Sequence, residues 1–225
     1  KSWKDDLNLF TSSNLISESR VSLIPSSGVD CSKFIPNVAS RRNTNFKILL
    51  SARLLWDKGI STFIECAAKL NDERDDVKLY LAGSVDKGNP AAIPIEQVNI
   101  WHDKGIINYL GHIDNMPDLL NSVDLVVLPS AREGLPKSLI EALACGIPII
   151  TTDVPGCREV VENGFDGILI PYGDPTSLKH AIEFFLSNPK EYASFSKNAR
   201  ISALKKFDST IINKLTLEIY KSSFS

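Results

Sequence analysis

From residue 46 onward, short apolar runs alternate with amphipathic stretches, and this alternation limits the possible folds more than any other property of the chain. The runs 46–52, 77–82, 106–110, 124–128, 148–152 and 167–170 read as strands. Between and after them, 58–70, 94–104, 116–122, 136–145, 158–162, 178–186, 191–206 and 211–221 read as helices. The strand runs are almost continuously apolar, so both faces of their sheet must be covered. Strand–helix alternation of this kind predicts a doubly wound, Rossmann-like α/β domain built on a parallel sheet. Ligands of such domains sit at the carboxyl ends of the strands, which directs attention to the loops that leave strands and open helices.

Local signals place several boundaries. Asp114 is a plausible N-cap for the helix 116–122, Pro136 suits the first helical position, and Gly146 suits the C′ position after 136–145. The first 45 residues differ in character: 3–12 reads as a helix, 21–25 as a strand, 26–30 as a turn and 36–45 as a linker.

Composition removes several function classes. A net charge of −2 lacks the basic surplus that phosphate-backbone binding needs, so nucleic acid is not an expected partner. No apolar run is long enough to span a membrane, and the polar start 1–9 is not a signal peptide. The sequence does not begin with Met, and a fragment is expected. Cys31, Cys66, Cys145 and Cys157 form no C-x-x-C pair and read as reduced core thiols of a cytoplasmic protein. His102, His112 and His180 are too scattered to suggest a metal site.

Three loops after strands carry residues suited to one ligand. The first, Arg53-Leu54-Leu55-Trp56-Asp57-Lys58-Gly59, places two cations at a strand end, as a diphosphate would require. The competing structural reading has Lys58 solvated at a helix start and Arg53 paired with a nearby carboxylate. The second loop runs from Ser130 through Glu133 into the helix that holds Glu141. Glu133 can face a sugar from the loop, and Glu141 can accept two hydroxyl hydrogen bonds from a ribose. Free N–H groups near Ser138 and Leu139 can meet phosphate oxygens. Against this, acidic residues near helix starts are common for stability alone. In the third loop, Val154–Glu159, Gly156 would allow close backbone approach to a ligand or serve a simple turn.

These elements resemble a known family. E-G-L-P-K-S-L-I-E, from Glu133 to Glu141, matches the E-x7-E motif of retaining GT-B glycosyltransferases, in particular family four. S-A-R-L-L-W-D-K-G resembles that family's G-R-x-x-x-x-K-G element, with Ala52 where Gly is frequent. I-I-N-Y-L-G-H-I resembles its base-binding strand and loop. A-L-A-C-G-I-P-I-I-T-T-D-V-P-G-C-R-E-V-V-E-N-G-F-D-G-I-L-I-P follows the family in order and spacing, and L-I-P-S-S-G-V-D looks like the segment leading into its C-terminal domain.

The resemblance covers about residues 21–190 and implies the C-terminal half of a GT-B fold. It places a nucleotide-sugar-binding domain at 21–225, with 1–20 as a remnant of the N-terminal acceptor domain or a linker. The implied donor is a nucleotide diphosphate sugar, with a UDP-sugar expected, and the acceptor a glycan or lipid-linked glycan bound by the N-terminal half. Arg53 and Lys58 would neutralise the leaving diphosphate. Glu133, with backbone N–H groups of Gly134, Leu135 and Pro136, would hold the donor sugar, and Glu141 the ribose. Ser138 and Leu139 would offer amides, and the base would pack by the Gly111–His112–Ile113 loop. The sequence has no D-x-D, and neither metal nor other cofactor is expected. Lys197, Arg200, Lys205 and Lys206 could face an anionic membrane or simply solvent. Two rival readings accompany this one: a pyridoxal-phosphate sugar phosphorylase of the same architecture, and a non-catalytic nucleotide-binding domain.

Overall fold

A computed structural model describes residues 9–13, 15–17, 21–22, 24, 28–37 and 45–223. Among them, the strands β1 (Phe46–Ser51), β2 (Val77–Ala82), β3 (Asn108–Gly111), β4 (Leu125–Leu128), β5 (Ile149–Thr152) and β6 (Gly167–Ile170) form one sheet in the order β3-β2-β1-β4-β5-β6. Every pairing is parallel: Ile48 stands opposite Leu79 on one side and Leu125 on the other. The chain therefore winds outward from β1 to β3, then returns to lay β4 against the free side of β1. That reversal is a topological switch point, the place where doubly wound domains hold their ligands.

Helices α1 (Ile60–Glu73), α2 (Ile95–Asp103), α3 (Met116–Asn121), α4 (Lys137–Ala144), α5 (Pro155–Val160), α6 (Pro175–Ser187), α7 (Pro189–Ser202) and α8 (Ser209–Ser223) follow in order. The strand side chains alternate between two cores. Ile48, Leu50, Leu79, Leu81, Leu125 and Val127 join Phe63, Leu70, Ile182 and Phe185 on one face. Leu49, Val126, Leu128 and Ile149 join Leu139, Leu143 and Val160 on the other. Full burial of such a side chain contributes roughly 1.5–3 kcal/mol, so two apolar faces require helices on both.

Several boundaries differ from the sequence reading for identifiable reasons. The helix expected at 58–70 starts only at Ile60: Trp56–Lys58 is a 3-10 turn, and Gly59, at φ 72°, separates it from α1. Helix α3 is capped by Asn115, not Asp114, because the Asn115 side chain accepts from the Asp118 N–H. Helix α5 begins three residues before the expected 158, with Pro155 in its first turn. Helix α6 begins at Pro175, where Asp174 accepts from Thr176 N and Ser177 N at 2.9 Å each. The long helix 191–206 is α7 followed by a π-type stretch, Ala203–Phe207. Gly146, at φ 65°, ends α4 as expected.

Of the expected helix 3–12, residues 9–12 are helical and 1–8 lie outside the described residues. Of the expected strand 21–25, Val21, Ser22 and Ile24 belong to no strand, and 23 and 25 lie outside. Residues 26–27 of the turn and 38–44 of the linker also lie outside. Val29 pairs with Phe207–Ser209 through Val29 N–Phe207 O at 2.8 Å and Ser209 N–Val29 O at 2.9 Å. Arg200 does not join a cationic surface face. Its guanidinium turns inward and donates to the carbonyls of Phe34, Ala144 and Cys31, tying the entering segment to the end of α4. Lys197, Lys205 and Lys206 are exposed, and Lys206 pairs with Glu162 at 3.2 Å. The four cysteines are buried thiols; burial pushes Cys31 and Cys157 up to about 11 and Cys66 to about 12. No helix among the described residues is long and apolar enough to cross a membrane.

Candidate functional site

The loops after β1, β4 and β5 are stitched into one layer at the switch point. The Asp57 carbonyl accepts from Ser130 Oγ at 3.0 Å and from Ala131 N at 2.8 Å. Thr152 Oγ1, at the end of β5, donates to the Ser130 carbonyl. Gly59 packs so tightly on this layer that a Cβ there would lie 1.9 Å from the Pro129 carbonyl oxygen. Gly156 has the same character: its Cβ would lie 2.2 Å from the Glu133 carbonyl oxygen and 2.4 Å from that of Gly134. The close approach made by Gly156 is thus to the Glu133–Gly134 main chain and not to a ligand.

This stitching brings Lys58 to Glu133. Their Nζ and Oε1 atoms are 2.8 Å apart, and the side chains are 13% and 12% exposed. Lys58 is therefore not a solvated helix-start residue. Arg53, at the mouth, does pair with a carboxylate: Nη1 lies 2.8 Å from Asp86 Oδ2, with the arginine side chain 65% exposed.

A cavity of about 650 Å³ opens over this layer, lined by Arg53, Lys58, His112, Glu133, Leu135, Pro136, Ser138 and Glu141 among others. A second of about 350 Å³ continues over the ends of β1, β2 and β3, where Arg53 and His112 recur and Gly83, Ser84, Ile113 and Met116 complete the wall. Gly83 lets the end of β2 close onto the chain leaving β1, since a Cβ there would lie 1.8 Å from the Ala52 carbonyl oxygen. Gly134 lines a third cavity of about 370 Å³ beside Asp57, Lys58 and Arg132.

Two expectations need correction. Leu139 is fully buried and its N–H donates to the Pro136 carbonyl at 3.1 Å, so it has no amide to offer a phosphate. Pro136 has no N–H at all, so the main-chain donors before α4 are those of Gly134 and Leu135. The amides left at the start of α4 are those of Lys137 and Ser138, because no side chain caps this end. Glu141, one turn inside, is 15% exposed, and burial holds its carboxyl above the ordinary range against the opposing pull of Lys137 at 3.9 Å. Two further charged residues lie outside the set expected from sequence: Lys137, which lines the large cavity, and Asp86, which pairs with Arg53.

A wholly parallel, doubly wound sheet whose switch point gathers cations, half-buried carboxylates and an uncapped helix start defines a Rossmann-like α/β domain with a cavity at its strand ends. Residues 32–202 match the family model described as Glycosyl transferases group 1, and the chain belongs to that family. It is 33% identical over 216 residues to the N,N'-diacetylbacillosaminyl-diphospho-undecaprenol alpha-1,3-N-acetylgalactosaminyltransferase of Campylobacter jejuni, across 91% of this chain and 55% of that protein. The fold superposes on Anabaena HepE in complex with UDP with a TM-score of 0.77 at 22% identity, over 87% of this chain and 56% of that one. It also superposes on the C-terminal domain of a glycosyl transferase group 1 family protein (LpcC) from Francisella tularensis, with a TM-score of 0.68 at 19% identity, over 80% of this chain and 99% of that domain. The chain spans about half the length of the curated relatives it matches.

Proposed function

We propose that this chain is the donor-binding domain of a retaining hexosyltransferase that uses a nucleotide diphosphate sugar, with UDP as the nucleotide. The observation that carries this is the convergence of Arg53, Lys58, Glu133, Glu141 and the start of α4 on one cavity. A diphosphate needs cations and N–H donors, a ribose needs a hydroxyl acceptor, and a sugar needs both. The adjoining cavity by His112 and Ile113 has room for a base. UDP in the HepE complex and the sugar-transfer activity of the Campylobacter jejuni relative support the choice of nucleotide and reaction.

In this reading Lys58 and Arg53 stabilise charge on the departing diphosphate, and a donor of this kind contributes about 10²–10³ in rate. The exposed Arg53–Asp86 pair does not oppose it, since such surface pairs are worth only about 0–1 kcal/mol. Glu133 and the amides of Gly134 and Leu135 hold the sugar, and attack comes from the face the leaving group vacates. With cations in the diphosphate position, no metal ion is needed. The acceptor is a glycan or a lipid-linked glycan, held by a second domain. With a lipid-linked acceptor the enzyme works at the cytoplasmic face of a membrane, as a peripheral protein.

Calorimetric titration of the chain with UDP, GDP and ADP, with EDTA present throughout, tests this. UDP should bind most tightly and without metal. Binding that appears only when magnesium or manganese replaces EDTA would remove the metal-free part, and no binding of any of the three would remove the nucleotide reading.

A further inference from the structure

Lys137 is the first residue of α4 and lines the large cavity, yet its position makes no sense as helix design. The start of a helix carries partial positive charge, which favours an acid or a capping side chain and disfavours a cation. Here the first turn has no acidic residue and no side-chain cap. Among the described residues, the charge partner of Lys137 is Glu141, four residues on, at 3.9 Å. A lysine preceding a glutamate is the less favourable order for such a pair. Locally costly choices without local gain concentrate at functional positions.

The pair is also asymmetric. Glu141 is 15% exposed, in the cavity wall, whereas Lys137 is 68% exposed, at the cavity mouth. In any nucleoside diphosphate the phosphates hang from the ribose, so a carboxylate holding the ribose and a cation one helical turn away match neighbouring parts of the ligand. We infer that Lys137 is a specificity residue that exchanges Glu141 for a phosphate oxygen when the ribose hydroxyls engage Glu141, so that the site selects phosphorylated nucleotides over the bare nucleoside. This rests on the nucleotide reading of the cavity. Lys137 would complete a three-sided cationic cradle with Arg53 and Lys58, together with the amides of Lys137 and Ser138.

The experiment compares uridine, UMP and UDP binding, by NMR or calorimetric titration, to the wild-type chain and to Lys137→Gln and Lys137→Arg. Lys137→Gln should weaken UDP binding about tenfold or more, the usual effect of losing one charge-assisted contact, and leave uridine binding unchanged. Lys137→Arg should restore the preference for UDP. Equal weakening of uridine and UDP would mean that Lys137 only supports the helix and would overturn the inference alone. So would unchanged UDP binding in Lys137→Gln. If the wild-type chain binds none of the three, the nucleotide reading fails and this inference with it.

Discussion

Lys58 and Glu133 stand 75 positions apart in the sequence and meet at 2.8 Å, each side chain almost withdrawn from water. Neither reaches the other by chance. The Asp57 carbonyl binds the loop that carries Glu133, Gly59 presses on Pro129, and Gly156 braces Glu133 from behind. The ion pair is therefore where the two halves of the sheet are joined as well as the middle of the proposed donor site.

Removing one member of a buried pair leaves an uncompensated charge, at a cost of about 3–5 kcal/mol. The adjoining cavity gives water some access, so Lys58→Met and Glu133→Gln should each fall near the low end of that range. The double variant should cost clearly less than the two added together. Urea unfolding of the four proteins measures the coupling, and additive costs would show that the pair does not fasten the loops.

Gly59→Ala should be more damaging than its size suggests. The residue sits at φ 72°, and the added Cβ would meet the Pro129 carbonyl oxygen at 1.9 Å. Strain at such a backbone conformation costs of order 1–3 kcal/mol before the collision is counted. The loop must move, and with it Lys58. Both the urea midpoint and UDP affinity should drop, and a variant that loses neither would place Gly59 outside the mechanism that sets the site.

The parallel sheet was readable because each strand is a short apolar run between helices, but the strand order comes from the pairing in the structure. That Lys58, Glu133 and Glu141 line one cavity was readable because they lie in or just beyond loops that leave strands and match a motif. What could not be read were contacts between distant loops. For Gly156 ligand approach and a simple turn stayed open, because sequence shows a glycine after a strand but not the Glu133 main chain behind it. Arg200 looked like a surface cation because its place on α7 gives no hint of the three carbonyls it binds. Leu139 looked like a free amide because the 3-10 closure onto Pro136 is a matter of tenths of an ångström, beyond any spacing rule.

Asp166 gives the fold a pH dependence. It is fully buried and accepts from Ser202 Oγ and Glu162 N at 2.5 and 2.8 Å. Burial nevertheless holds its carboxyl above the ordinary 3.8. A raised folded-state value means the folded chain binds this proton more tightly than the unfolded chain. The contribution is stabilising below 3.8 and is lost as pH rises through the folded-state value. Asp166→Asn cannot titrate, so its stability relative to wild type should improve steadily across that window. Urea melts of both proteins between about pH 3 and about pH 7 would show it, and a constant or reversed difference would contradict it.

The chain alone should bind donor but not transfer sugar. On the proposed reading, the acceptor belongs to a second domain, and the residues gathered at this switch point all serve the donor. Holding two reactants in register accounts for about 7–11 kcal/mol of barrier reduction. Without an acceptor-binding wall that contribution is missing, and transfer should stay near background. The leaving-group cations Arg53 and Lys58 remain in place, and the sugar is open to water, so slow hydrolysis of the donor is expected instead. A single-turnover assay with radiolabelled UDP-sugar and lipid or oligosaccharide acceptors separates the two products. Hydrolysis should dominate and should fall about 10²-fold in Arg53→Ala or Lys58→Ala, the loss expected for one charge-stabilising donor. Efficient transfer by this chain would instead require an acceptor site within these residues, with the third cavity, beside Asp57 and Arg132, the first place to find it.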